Sequence, residues 1–159
     1  MTRPSSLSRA AFLARFGPVY EASPWVAEAV WPDPPDDLPA LAAAMAAVVD
    51  AAPRDRKLVL IRAHPELAGR AKMADASVKE QTGAGLDQCS PEEFAAFQRL
   101  NAAYNARFGF PFIYAVKGAT RADILAAFEA RLTHDPETEF ATAIAQIHRI
   151  AGFRLADLL

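Results

Sequence analysis

Cysteine is nearly missing from this chain: Cys89 is the single one in 159 residues. That excludes an internal disulfide and any cysteine cluster for a metal, and it fits a reducing compartment. The three histidines, His64, His134 and His148, have no His-Glu-x-x-His or similar spacing, so no metal site is expected. A Gly-x-Ser-x-Gly elbow and a phosphate-cradling glycine loop are also lacking. Neither sign of charge dominates: the formal net charge is −2. No segment carries a basic stripe, which argues against a nucleic-acid partner. The longest apolar run, Leu41 to Val49, falls well short of the roughly 20 residues that a membrane-crossing helix needs. Arg9 and Arg15 interrupt the region where the apolar core of a signal peptide would lie. The final Asp157-Leu158-Leu159 is not a Ser-Lys-Leu address. A cytoplasmic location without membrane contact is the expectation.

What is present is alanine, leucine and helical periodicity. Hydrophobic residues make up 52% and charged residues 23%, too apolar for disorder and suited to a compact helical fold. The length fits one domain over residues 1–159. A first short helix is expected over 5–16, with Phe12 and Phe16 on one face and Gly17-Pro18 as its stop. Ser23-Pro24 reads as an N-cap and first helical position of a second helix carrying Trp25 and Trp31. Residues 32–37 read as a surface loop and 38–51 as an alanine-rich helix. Leu58-Val59-Leu60-Ile61 suits a buried strand or one face of a helix; with no partner strand elsewhere, helix is preferred. Short helices are expected from the His64-Pro65 break to about Met73, and over 76–83 with Gly83 and Gly85 closing the second. Ser90-Pro91-Glu92-Glu93 is a capping box opening a helix whose apolar face is Phe94, Phe97, Leu100, Tyr104 and Phe108, ended by Gly109. Residues 109–118 form an irregular apolar segment. Thr120 to Asp123 opens another boxed helix, and Asp135-Pro136 caps a last one to the end. The fold class is all-α, a single-domain bundle of roughly eight helices.

Several polar residues sit where helical geometry puts an apolar face. Arg154 follows Ile147 by seven positions and precedes Leu158 by four, in the middle of the Phe140, Ile144, Ile147, Ala151 stripe. A buried guanidinium needs an acid of the protein or an anionic ligand. Asn101 lies between Phe97 and Tyr104 on the inward face, where an asparagine usually bonds nearby backbone. Ser77, Glu80 and Gln81 share one face of a short helix, as a solvated surface or as a donor and acceptor array. A helical hairpin could bring Glu80 to His64. Proline after His64 pushes that residue out of the α region, so His64 either merely ends a helix or turns a titratable ring toward a cavity. Phe110 to Val116 is too apolar for a solvated loop; its backbone groups are met by helix ends or by a polar ligand. Cys89 is read as an inert helix-entry residue, His148 as a packed one and His134 as a turn residue.

Taken together, Ser23-Pro24-Trp25-Val26-Ala27-Glu28, Arg62-Ala63-His64-Pro65-Glu66-Leu67, Ser77-x-x-Glu80-Gln81 with Ala84-Gly85-Leu86-Asp87, and Leu100-Asn101-x-x-Tyr104 with Arg107-Phe108-Gly109-Phe110-Pro111-Phe112-Ile113 resemble the 2-oxo-4-hydroxy-4-carboxy-5-ureidoimidazoline (OHCU) decarboxylases. The resemblance runs in order along nearly the whole chain. It implies a cofactor-free carboxy-lyase that makes (S)-allantoin in the last step from urate, usually a homodimer, with a functional link to a 5-hydroxyisourate hydrolase. It implies His64 and Glu80 as catalytic residues. Substrate binding would fall to Pro65, Ser77 and Gln81, to Phe112, Ile113, Tyr114, Ala115 and Val116, and by a looser match to Arg154. Glu80 is the acid expected to meet Arg154 in the empty site. A non-catalytic helical module binding a small acid or peptide, and a different lyase for a related ureido ring, are the alternatives.

Overall fold

The computed structural model describes residues 3–69 and 75–158. Among them are eight α-helices and no strand: α1 (Arg9–Phe16), α2 (Trp25–Val30), α3 (Leu38–Asp50), α4 (Arg54–Ala63), α5 (Asp75–Gly83), α6 (Pro91–Phe108), α7 (Arg121–Arg131) and α8 (Pro136–Leu158). The all-α expectation is met. The chain divides into two compact units, Met1–Ala63 with Ile147–Leu159, and His64–Gln146.

The first unit packs Phe12, Phe16, Val26, Leu41, Met45, Val49, Leu60, Ile61, Ala151 and Leu155 out of solvent. Phe12 stands at the centre, 4.8 Å from the Phe16 ring and 5.4 Å from Trp31. Local chemistry sets the helix limits. α1 begins later than the periodicity predicts, because the Ser8 hydroxyl accepts the Ala11 N–H and Pro4–Ser6 forms a separate 3-10 turn. Asp37 caps α3 by accepting the Ala40 N–H. The ambiguous apolar run is helical: α4 buries Leu60 and Ile61 and leaves Val59 exposed, where a strand would have alternated. Ser23 departs from expectation. It caps no helix; its hydroxyl donates to the Glu21 carbonyl and closes a turn in which Ala22 has φ 47°.

The second unit is built on α6. Both halves of its capping box are present, Ser90 Oγ accepting the Glu93 N–H at 3.1 Å and Glu93 accepting the Ser90 N–H at 2.9 Å. Gly109 ends it at φ 76°, a conformation that a β-carbon disfavours. Thr120 and Asp123 make the second box, and Asp135 accepts the Thr138 N–H at the start of α8. Of the apolar face predicted for α6, Phe97, Leu100 and Tyr104 are buried while Phe94 and Phe108 are half-buried. Gly85, at φ 77°, follows α5; a β-carbon there would lie 2.8 Å from the Arg121 guanidinium that bonds its carbonyl. The irregular apolar segment appears as expected between α6 and α7, with Phe110, Phe112, Ile113, Ala115 and Val116 buried.

The expected helix from Pro65 to about Met73 is not there in its described part. Residues 64–69 form a bend and a turn, with Ala68 at φ 53°, and 70–74 lie outside the described residues. The reason is that side chains from elsewhere take the backbone groups a helix would have used.

Candidate active site

His64 follows the last residue of α4 and is 7% exposed. Proline at 65 removes a backbone donor and keeps His64 out of helical geometry, so its position depends on what holds the turn behind it. Four amide side chains do this. Gln81 Oε1 accepts the Ala68 N–H at 2.9 Å, and Gln81 Nε2 donates to the Glu66 carbonyl at 3.2 Å. From α6, Asn101 Nδ2 donates to the Leu67 carbonyl at 2.9 Å and Gln98 Nε2 to the Ala68 carbonyl at 3.1 Å. Asn105 Nδ2 donates to the exposed Glu66 carboxylate at 3.0 Å. Gln98, Asn101 and Asn105 are spaced by three and four, so one stripe of α6 staples the turn. Asn101 is buried and bonds backbone, as expected, although that backbone is 34 positions away.

The Gln81 bridge also brings α5 to the His64 turn. Ser77 and Gln81 are 4% and 6% exposed, so the shared face of α5 is turned inward and is no solvated surface. Glu80, on the same face by its spacing, is half-buried. Pro65 is half-buried beside His64. Arg62 and Glu66 are exposed, in keeping with supporting charges.

The same helix supports the irregular segment. Three residues beyond Asn101, the Tyr104 ring packs edge-on against Phe112 at 5.4 Å and against Phe110 at 5.9 Å. Phe112 stacks on Phe128 at 3.9 Å, and the Arg131 guanidinium lies over the Phe112 ring at 4.3 Å. Arg131 also donates to the Ile113 carbonyl and to Glu139 Oε1, and the Ala115 N–H donates to Gln146 Oε1 at 2.9 Å. The His64 turn is thus held by α5 and α6, and the Phe112–Val116 segment by side chains of α6, α7 and α8, all within one unit.

Arg154 belongs to the other unit. It is 8% exposed, as its place on the apolar stripe of α8 predicts. An acid meets it: Glu21 Oε2 lies 2.9 Å from Nη1, which also reaches the carbonyls of Pro18 and Val19 at 3.3 and 3.4 Å. Glu21 gave no signal in the sequence, being the middle of a short turn. Beside it, His148 is a packed residue as expected, bonded through Nδ1 to the Tyr20 hydroxyl at 2.8 Å and through Nε2 to Asp50 at 2.9 Å. Burial, more than the Asp50 charge, pushes the Tyr20 phenol well above its ordinary range.

A second ionic group, outside the sequence expectations, carries the same positional signal as Arg154. Arg131 follows Phe128 by three and Ile124 by seven, on the buried face of α7. Glu139 precedes Ala143 by four and Ile147 by eight, on the buried face of α8. Glu139 is 0% exposed and accepts from Arg131 Nε at 2.8 Å and from the Tyr104 hydroxyl at 2.5 Å; its other oxygen meets His134 Nδ1 at 2.9 Å. His134 is thus a turn residue with a hydrogen-bond partner on Glu139. Burial first, then the Glu139 bond, raises the Tyr104 pKa. Burial also raises the Cys89 thiol, with Glu93 adding to it, which suits an inert residue and not a nucleophile.

Among the described residues, no group of three His, Cys, Asp or Glu side chains is placed to hold a metal ion. No described helix is long and apolar enough to cross a membrane. The chemistry open to the site is proton transfer at an imidazole beside hydrogen-bond donors and acceptors. Residues 5–156 match the model of the OHCU decarboxylase family. The chain is 46% identical over 147 residues to the 2-oxo-4-hydroxy-4-carboxy-5-ureidoimidazoline decarboxylase of Haloferax volcanii, covering 92% of this chain and 88% of that protein. It is also 46% identical over 144 residues to the uric acid degradation bifunctional protein PucL of Bacillus subtilis, covering 90% of this chain and 29% of that protein. A crystal structure of (S)-allantoin synthase superposes with a TM-score of 0.81 at 36% identity, covering 98% of this chain; the chain spans about half that protein's length, 52%. Over almost its whole length, this chain belongs to the OHCU decarboxylase family.

Proposed function

We propose that this protein decarboxylates OHCU to (S)-allantoin, without a cofactor and with delivery of one proton to one face of the product. The observation that carries the reading is the 46% identity, over 92% of this chain, to a decarboxylase of that substrate. The chemistry suits the residues. The substrate's carboxylate is on a carbon next to a C=N bond, so when the C–C bond breaks the electron pair passes into the ring and CO₂ leaves. No pyridoxal or thiamine sink is required. What the protein supplies is binding, charge relief and a proton.

In this reading His64 handles the proton, held by Pro65 and by the amide-stapled turn behind it. Glu80 works with it as the second catalytic group. Ser77, Gln81, Pro65 and the backbone of Phe112, Ile113, Tyr114, Ala115 and Val116 fix the ureido ring by hydrogen bonds. By family resemblance, Arg154 meets an anionic group of the substrate. Gln81 then has two duties, since its amide already anchors Glu66 and Ala68.

The same proposal includes a homodimer in the cytoplasm and a functional link to a 5-hydroxyisourate hydrolase that supplies the unstable substrate. The match to a bifunctional protein of uric acid degradation supports the link. The test is to add the purified protein to freshly generated OHCU and follow substrate loss together with optical rotation. Loss faster than in buffer, with (S)-allantoin accumulating, is the expected result. A rate equal to buffer refutes the assignment, and a screen of related ureido rings then tests the alternative lyase. Sedimentation at micromolar concentration checks the dimer.

A further inference from the structure

The segment Phe112–Val116 is irregular, yet its backbone is oriented, by side chains of α7 and α8. Two successive peptides are each held by one side chain. Arg131 takes the Ile113 carbonyl, and Gln146 Oε1 takes the Ala115 N–H at 2.9 Å. No cis peptide bond occurs among the described residues. In a trans peptide the carbonyl and the following N–H point in opposite directions. Arg131 therefore turns the Tyr114 N–H away from itself, and Gln146 turns the Tyr114 carbonyl away from itself.

Arg131 is itself fixed on every side. Glu139 holds its Nε at 2.8 Å, the Tyr104 hydroxyl lies 3.5 Å from Nη2, and the guanidinium covers the Phe112 ring. Glu139 is completely buried and is held in turn by Tyr104 and His134. A buried ion pair of this kind contributes little net stability compared with an apolar pair of the same shape. Its directional bonds do give one defined orientation to a carbonyl on an otherwise irregular strand of backbone.

We propose that Arg131, Glu139 and Gln146 are positioning residues for substrate binding: they set the two peptides on either side of Tyr114 so that its backbone donor and acceptor are presented in a fixed direction. This rests on the reading of Phe112–Val116 as the substrate-facing wall. None of the three touches substrate; each acts through the backbone.

The experiment is a kinetic comparison of Arg131→Lys, Glu139→Gln, Gln146→Leu and Gln146→Glu in the full-length protein, with thermal melts alongside. Lysine keeps the charge but cannot hold Glu139 and the Ile113 carbonyl in one planar fork. Arg131→Lys and Gln146→Leu are each expected to raise KM about tenfold, equivalent to about 1.4 kcal/mol, with kcat within about threefold of the parent. Gln146→Glu keeps an acceptor for the Ala115 N–H and is expected to recover most of the Gln146→Leu loss. A purely structural role would lower the melting temperature and leave KM of the folded fraction unchanged. If Arg131→Lys and Gln146→Leu fold and keep KM within twofold, the proposal is wrong. Ala115→Leu separates the two possible failures. If it raises KM while the positioning variants do not, the wall reading stands and the positioning claim falls. If it too leaves KM unchanged, the wall reading falls as well.

Discussion

Gln81→Leu is the substitution that most sharply tests how the His64 turn is held. Leucine fills similar space but removes both amide atoms, one accepting from Ala68 at 2.9 Å and one donating to Glu66 at 3.2 Å. The two losses are unequal. Ala68 is 7% exposed, so its N–H is left buried without an acceptor, at a cost of about 1–3 kcal/mol. Glu66 is exposed, so water can replace the bond to its carbonyl and the loss is nearer 0.5 kcal/mol, on the order of an ordinary net hydrogen bond. The sum is about 2 kcal/mol, which for a chain of this size lowers the melting temperature by roughly 4–8 °C. Circular dichroism melts measure it, and kcat should fall further than stability alone explains, because His64 stands four residues before Ala68. Ala68→Gly is the control. It relieves about 1 kcal/mol of left-handed strain at φ 53° and loses a similar amount to unfolded-state entropy. It should melt within roughly 2 °C of the parent, which corresponds to a change of under about 1 kcal/mol. If Gln81→Leu melts with the parent and keeps kcat, the turn is not held as described.

Three further outcomes follow from the ionic and capping geometry. Glu21→Ala removes the acid 2.9 Å from buried Arg154 and should cost about 3–5 kcal/mol, with Glu21→Gln milder; a denaturant midpoint unchanged in both would refute the pairing. Tyr104 is kept neutral in the folded state, so its contribution is complete below the ordinary phenol value near 10 and is lost as pH rises beyond it. Tyr104→Phe should therefore flatten the alkaline limb of a stability–pH curve. Glu93 has the opposite sign: the Ser90 N–H lowers its pKa, so the stability it gives is present above about pH 4 and lost as pH falls below. Ser90→Ala should cost about 1 kcal/mol at neutral pH from the lost cap, and the deficit should persist in urea titrations at any salt.

How much of this was readable beforehand depends on how far apart the partners are in sequence. The boxes at Ser90 and Thr120 and the Gly109 stop are encoded within a few residues, and each stands where the sequence puts it. Arg154 and Asn101 were identifiable as buried because helical spacing alone assigns a face. Their partners were not, since Glu21 and the Leu67 carbonyl come from distant turns. The turn after Pro65 reads as helix for the same reason. Its backbone groups go to Gln81, Gln98 and Asn101, and nothing local announces that. Ser23 misleads in a different way, because its hydroxyl has a choice of backbone partners and takes the Glu21 carbonyl. The functional roles come from family resemblance; the residues alone show that Ser77, Glu80 and Gln81 share a face, that Arg154 is buried and that Pro65 takes His64 out of the helix.

In the proposed reaction His64 controls proton delivery to one face of the product. The deciding measurement is the enantiomeric excess of allantoin formed from freshly generated OHCU by the parent and by His64→Asn, with folding of the variant checked by its melt. The parent should make (S)-allantoin, and the variant should give racemic product at a rate near that of buffer. A folded His64→Asn that still makes (S)-allantoin at the parent rate would contradict it.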